Sequence, residues 1–207
     1  MNDPLIARRL GRVDYQPTWR AMQDFTAARD AGTPDEIWLL EHPPVFTQGM
    51  AGRPEHLLRD AGVPLVETDR GGQITYHGPG QVIAYLLLDL TRRGLKVREL
   101  VSRIEQAAIE LLAAHNVEGE RRAGAPGVYV GGAKIAALGL RVKGGRSYHG
   151  LSLNVDMDLS PFAAINPCGY PGLKVTQLCD LGVRAEPAEV GELLLQQLQN
   201  HIGSHHG

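Results

Sequence analysis

The segment Asn166-Pro-Cys-Gly-Tyr170 puts a thiol, Cys168, between a proline and a glycine. Proline fixes φ and glycine tolerates conformations that other residues avoid, so this cysteine belongs on a turn. Structural cysteines favour helix and strand interiors, where the thiol acts as a small apolar group. A thiol on a loop is open to oxidation, and catalytic groups concentrate on loops held by a rigid scaffold. Taken alone, Cys168 reads equally as a nucleophile or as an incidental loop thiol. A second segment, Arg70-Gly-Gly-Gln-Ile-Thr-Tyr-His-Gly-Pro-Gly-Gln81, is dense in glycine. Such a backbone can approach a ligand closely and present N–H groups to an oxygen. Arg70 and His77 bracket the glycines with groups able to hold polar substrate atoms, which favours a substrate cradle over a plain connection.

Lys134 lies in Gly131-Gly-Ala-Lys-Ile-Ala-Ala-Leu-Gly-Leu140, among small apolar residues on an expected strand. A buried ammonium is costly unless paired and gives up its proton readily, so this lysine could accept one. Equally, its head could snorkel to the surface from the strand's start. His149, in Ser147-Tyr-His-Gly-Leu-Ser-Leu-Asn154, heads another strand and reads first as a structural histidine. Cys179 sits among apolar residues at helical spacing and reads as an inert core or near-core thiol.

Several chemistries find no support. Gly127 to Lys134 misses the phosphate-loop pattern, because Ala133 separates Gly132 from the lysine and no Ser or Thr follows. Neither a dinucleotide Gly-x-Gly-x-x-Gly nor a Gly-x-Ser-x-Gly elbow occurs. The two cysteines show neither Cys-x-x-Cys nor zinc-type spacing, so no metal and no cofactor is expected.

These residues need elements to position them. Residues 15–31 and 98–115 carry apolar residues at helical spacing, and 186–201 reads as a closing helix with Pro187 in its first turn. Short strands are expected at 37–40, 45–47 and 63–68. The apolar run 81–90 fits a strand buried on both faces. Residues 127–130 and 134–142 flank Gly131-Gly132 as a hairpin, and 147–155 follows as a further strand. This pattern predicts an α+β fold in which helices flank a sheet.

With 207 residues and no linker-like stretch, the chain reads as one domain over 1–207, with 203–207 expected to fray. Its 21 basic and 23 acidic residues nearly cancel, which argues against nucleic acid as a partner. The first residues lack the apolar stretch of a signal peptide, and no apolar run could span a bilayer; a cytoplasmic protein without a membrane partner is expected.

Four segments occurring in this order, Arg70–Gln81, Gly132–Val142, Ser147–Asn154 and Asn166–Tyr170, together with Asp158-Leu-Ser-Pro-Phe and Val175-Thr-Gln-Leu, carry a family resemblance. Over roughly residues 35–182 the chain closely resembles the octanoyl-[acyl carrier protein]:protein octanoyltransferases, also called lipoate-protein ligase B. The resemblance implies a single domain with a mixed sheet flanked by helices, of the biotin/lipoate protein ligase type. It implies transfer of an octanoyl group from octanoyl-acyl carrier protein to a lysine of lipoyl domains. Those acceptors belong to 2-oxo acid dehydrogenase complexes and to the glycine-cleavage carrier protein. Cys168 matches the acyl-thioester nucleophile, and Lys134 the residue that lowers its pKa. Arg70, Gly71, Gly72, Gln73, Ile74, Thr75, Tyr76 and His77 match a segment lining the substrate site. Ala137, Leu138 and Gly139, and Gly150, Leu151 and Ser152, match two more; Ser152 stands where the family often has alanine.

The chemistry of the residues is compatible with that implication. A thiolate exchanges with a thioester without nucleotide, and a neighbouring ammonium favours the thiolate form. The backbone at Gly71-Gly72 and His77-Gly78 could face the developing oxyanion. Ile74, Tyr76, Ala136, Ala137 and Leu138 are the expected lining of an apolar slot for the acyl chain. The rivals are an ATP-dependent lipoate or biotin ligase on the same fold, and a non-catalytic acyl- or lipoyl-domain-binding protein.

Overall fold

The computed structural model describes residues 5–203. Strands β1 (Leu5–Arg12), β2 (Asp35–Glu41), β6 (Gln81–Leu87), β7 (Glu120–Arg121), β8 (Gly127–Val130), β9 (Ala133–Lys143) and β10 (Arg146–Asn154) form one sheet. Its order is β1-β2-β6-β10-β9-β8-β7. Only β1 and β2 run parallel; every other neighbouring pair is antiparallel. Strands β3 (Val45–Gln48), β4 (Leu65–Glu67) and β5 (Ile74–His77) form a second, three-stranded sheet of order β4-β3-β5.

Alternation along β6 explains the layering. All seven of its residues are buried, as expected for a strand covered on both faces. Val82, Ala84 and Leu86 point into the main core, under helices α2 (Val97–Ala114) and α3 (Pro187–Gly203). Ile83, Tyr85 and Leu87 point the other way, against Met22 and Phe25 of helix α1 (Tyr15–Ala28). Period-2 alternation thus sends successive side chains into two cores. The small sheet has a core of its own, where Phe46, Ile74 and Tyr76 meet Phe162 and Ile165.

The three long helices lie where hydrophobic spacing places them, and Gly131-Gly132 turns the β8–β9 hairpin. One expectation needs correction. The glycine-dense segment 70–81 is not all loop: Ile74–His77 is strand β5, a β-branched and aromatic run half hidden by its glycine flanks. Beside the main sheet, β3, β4 and β5 pair only with each other. Strand β1 has no sequence signal of comparable strength, since its exposed face carries Arg8 and Arg12 and only one edge pairs. Helix α3 runs to Gly203, and the remainder of the 203–207 tail expected to fray lies outside the described residues. No helix among the described residues is long and apolar enough to cross a membrane.

Candidate active site

Cys168 sits in a one-turn 3-10 segment, Pro167–Gly169, with φ 55 and ψ 20, left-handed backbone that an L-residue rarely adopts. Hydrogen bonds from Gly169 N to Asn166 O and from Asn166 N to His56 O pin the turn. Gly169 is needed there: its φ is 76, and a Cβ would run into the Gln73 side chain. Lys134 opens β9. Its N–H donates to Lys174 O and its carbonyl accepts from Thr176 N, so the chain after the cysteine turn is laced to the lysine's own backbone.

The two side chains meet. Lys134 Nζ donates to Cys168 Sγ at 3.2 Å and to Pro126 O at 3.1 Å, and lies 5.1 Å from the centre of the Tyr129 ring. Lys134 is buried and, among the described residues, makes no ion pair with a carboxylate. Burial pulls its pKa down, but the charge and hydrogen bond of Cys168 prevail and raise it above the usual lysine range. The lysine therefore rests as an ammonium facing sulfur.

A cavity of about 430 Å³ opens over this pair. Strands β9 and β10 form one wall, through Ala137, Leu138 and Gly139 and through Gly150, Leu151 and Ser152. Gly71, Gly72, Gln73, Thr75 and His77 form another. Gly139 lets the two walls close up: a Cβ there would come within 2.9 Å of Gly71 O. Gly71 N–H in turn donates to Leu140 O at 2.8 Å.

Three sequence expectations fail on direction. Ile74 and Tyr76 do not line the cavity but point into the small sheet's core, as alternation with Thr75 and His77 requires. Ala136 likewise faces the main core, opposite to Ala137. Gly71 N–H is committed to Leu140 and Gly78 is not part of the cavity wall, which removes two of the four backbone oxyanion candidates.

Arg70 lines the cavity beside Gly71. Its guanidinium is buried and donates to Thr47 O, Thr47 Oγ1, Gly71 O and Gln73 O. It shapes the 70–73 turn by gathering carbonyls. His77 Nδ1 pairs with Gln81 Oε1 at 2.7 Å, and burial, helped by His42, pushes the imidazole pKa down to about 3. His149 pairs with Asp69 at 3.1 Å while also facing the cavity. Cys179 is not in a core: it lies half-buried on the turn Cys179–Leu181, where burial and then Asp156 push its thiol up to about 11.

Sequence reasoning missed Asp69, Thr47, Tyr15 and Tyr85. Asp69 accepts from Trp19, Gln23, Tyr148 and His149, tying α1 and β10 to the residue before Arg70. Burial opposes its ionisation, yet these donors hold its carboxyl well below the usual range. Its adjacency to Arg70 was the one available signal. Tyr15 and Tyr85 line the cavity floor from α1 and β6, with no motif around either.

A thiol and an ammonium thus meet beneath a partly apolar cavity. Among solved structures, a lipoate-protein ligase A bound with ATP superposes with TM-score 0.74 at 14% identity, over 97% of this chain and 85% of the other. The biotin protein ligase of Aquifex aeolicus in complex with biotin and ATP gives TM-score 0.62 at 13% identity, over 95% and 70%. At such identities the likeness shows the fold alone.

The lipoyl protein ligase A/B catalytic domain family matches residues 14–199. An octanoyltransferase of Aromatoleum aromaticum is 69% identical over 94% of this chain and 84% of its own length. One from Dechloromonas aromatica is 66% identical over 99% and 100%. The chain belongs to the octanoyltransferase family.

Proposed function

We propose that this protein moves an octanoyl group from octanoyl-acyl carrier protein to a lysine of lipoyl domains through a thioester on Cys168, with Lys134 as acid and base and without nucleotide. The observation that carries the reading is the 3.2 Å contact between Lys134 Nζ and Cys168 Sγ at the cavity. The thiolate attacks the thioester carbonyl; as the tetrahedral intermediate collapses, the carrier thiolate leaves and takes a proton from the Lys134 ammonium. The neutral amine then accepts a proton from the attacking substrate lysine, the amide bond forms, and Cys168 leaves as thiolate. Ala137, Leu138 and Leu140 offer apolar surface to the chain, worth up to roughly 0.8 kcal/mol per buried methylene.

The acyl group arrives as a thioester and leaves as a more stable amide, so no nucleotide is needed. Octanoyl-carrier protein plus a lipoyl domain suffices to add the octanoyl mass to the acceptor, whereas free octanoic acid, ATP and Mg²⁺ yield none. Modification from free acid and ATP would move the chain to the ligase reading.

A further inference from the structure

A second cavity, of about 400 Å³, adjoins the first, and Ala125 and Tyr170 line both. Its wall includes Arg122, Tyr129, Gly132 and the segment from Tyr170 to Lys174 that leads away from the cysteine turn. Two cations face it. The Arg122 guanidinium lies 4.4 Å from the centre of the Tyr129 ring, the same ring that Lys134 Nζ approaches to 5.1 Å, and it donates to Gly132 O. Lys174 is placed by its carbonyl, which accepts from Lys134 N at 2.8 Å. The Arg122 guanidinium is thus held to the ring that Lys134 shares, and the backbone of Lys174 to that of Lys134.

Neither cation is neutralised. The adjacent Arg121 pairs with Glu105, but among the described residues Arg122 and Lys174 make no ion pair. The chain as a whole is slightly acidic, with net charge −2, so two uncompensated cations on one cavity do not follow from bulk composition. An unneutralised guanidinium and ammonium around a concave wall suit an oxyanion, and arginine's fork suits a phosphate in particular.

We propose that this second cavity holds the phosphodiester of the donor's pantetheine arm, through Arg122 and Lys174, while the arm's thioester reaches Cys168 past Ala125 and Tyr170. The inference rests on the carrier-thioester reading above and adds a subsite to it. The arm is neutral along its amides and carries its charge at the phosphate, so a thioester threaded toward Cys168 brings one anionic group to be bound outside the acyl cavity.

The test is the rate at which Cys168 is acylated, followed by intact mass, with octanoyl-phosphopantetheine, octanoyl-pantetheine and octanoyl-carrier protein as donors. The wild-type kcat/KM should be higher for the phosphorylated free arm than for the unphosphorylated one by about tenfold or more, the scale of a charge-assisted hydrogen bond. Lys174→Glu and the double variant Arg122→Ala/Lys174→Ala should lose most of that preference. Lys174→Glu leaves the Tyr129 ring untouched, so a loss there cannot be laid to disturbance of Lys134. Equal rates with both free arms, or a preference unchanged in both variants, would overturn the subsite. So would a defect confined to the intact carrier protein, which would assign the cations to an acidic protein surface. Acylation by none of the three thioesters would overturn the carrier reading itself and this inference with it.

Discussion

Cys168 and Lys134 each occupy a position that costs stability. A non-glycine residue in the left-handed region costs on the order of 1–3 kcal/mol, and a buried ammonium without a carboxylate is costly again. Each cost is intelligible if the two groups act on each other across their 3.2 Å contact. We expect Lys134→Arg to impair transfer nearly as much as Lys134→Ala. Arginine keeps the positive charge but does not release its proton, and Gly127 and Pro126 crowd the lysine's end. The check compares thiol alkylation rate against pH with the transfer rate in both variants. Wild-type turnover by Lys134→Arg would reduce the lysine to an electrostatic role. The residue types were legible in the sequence, from the turn around Cys168 and the apolar surroundings of Lys134. Their meeting was not, since it depends on the pairing of residues 174–176 with Lys134, a contact that no local pattern encodes.

Among elements, the 70–73 turn and the β9–β10 hairpin decide the cavity's shape. Gly139 and Gly150 face each other across that hairpin, and the turn presses its Gly71 carbonyl against the gap at Gly139. We expect Gly139→Val to displace the turn and lower transfer by about tenfold or more, as a misplacement of about an ångström can. The main core beneath should stay folded, because Gly139 is not one of its members. Crystal structures of the variant with transfer assays would show this; full activity with an unmoved turn would contradict it. Long helices were legible because amphipathic periodicity is a local signal. Strand β5 was obscured by the glycines around it, and the inward or outward direction of Ile74 and Ala136 needed a register that only the sheet supplies. Asp69 was not recognised because its role, gathering donors from α1 and β10, exists only after folding.

At the scale of the molecule, folding keeps buried imidazoles neutral: His77 lines the cavity and His42 packs against it. Burial pushes His42 down to about 4 and His77 down to about 3, against an ordinary value near 6.5. Below 6.5 the unfolded chain takes up these protons and the folded one does not, so stability is full above that pH and falls as pH drops. By pH 5 each imidazole should account for a loss of about 2 kcal/mol. Urea unfolding from pH 7 to 5 should show this slope, and His77→Gln, which retains a polar group without titrating, should flatten it. An unchanged slope in the variant would exclude His77 as a source.

Covalent capture of the acyl group is the claim on which the rest depends, and intact mass tests it most directly. Wild-type protein incubated with octanoyl-carrier protein, without acceptor or nucleotide, should gain one octanoyl group on Cys168 and lose it when a lipoyl domain is added. Cys168→Ala should gain none, and should transfer on the order of 10³-fold more slowly or worse while unfolding at a similar temperature. Transfer by folded Cys168→Ala at the wild-type rate, or an adduct on another residue that chases to the acceptor, would contradict the mechanism.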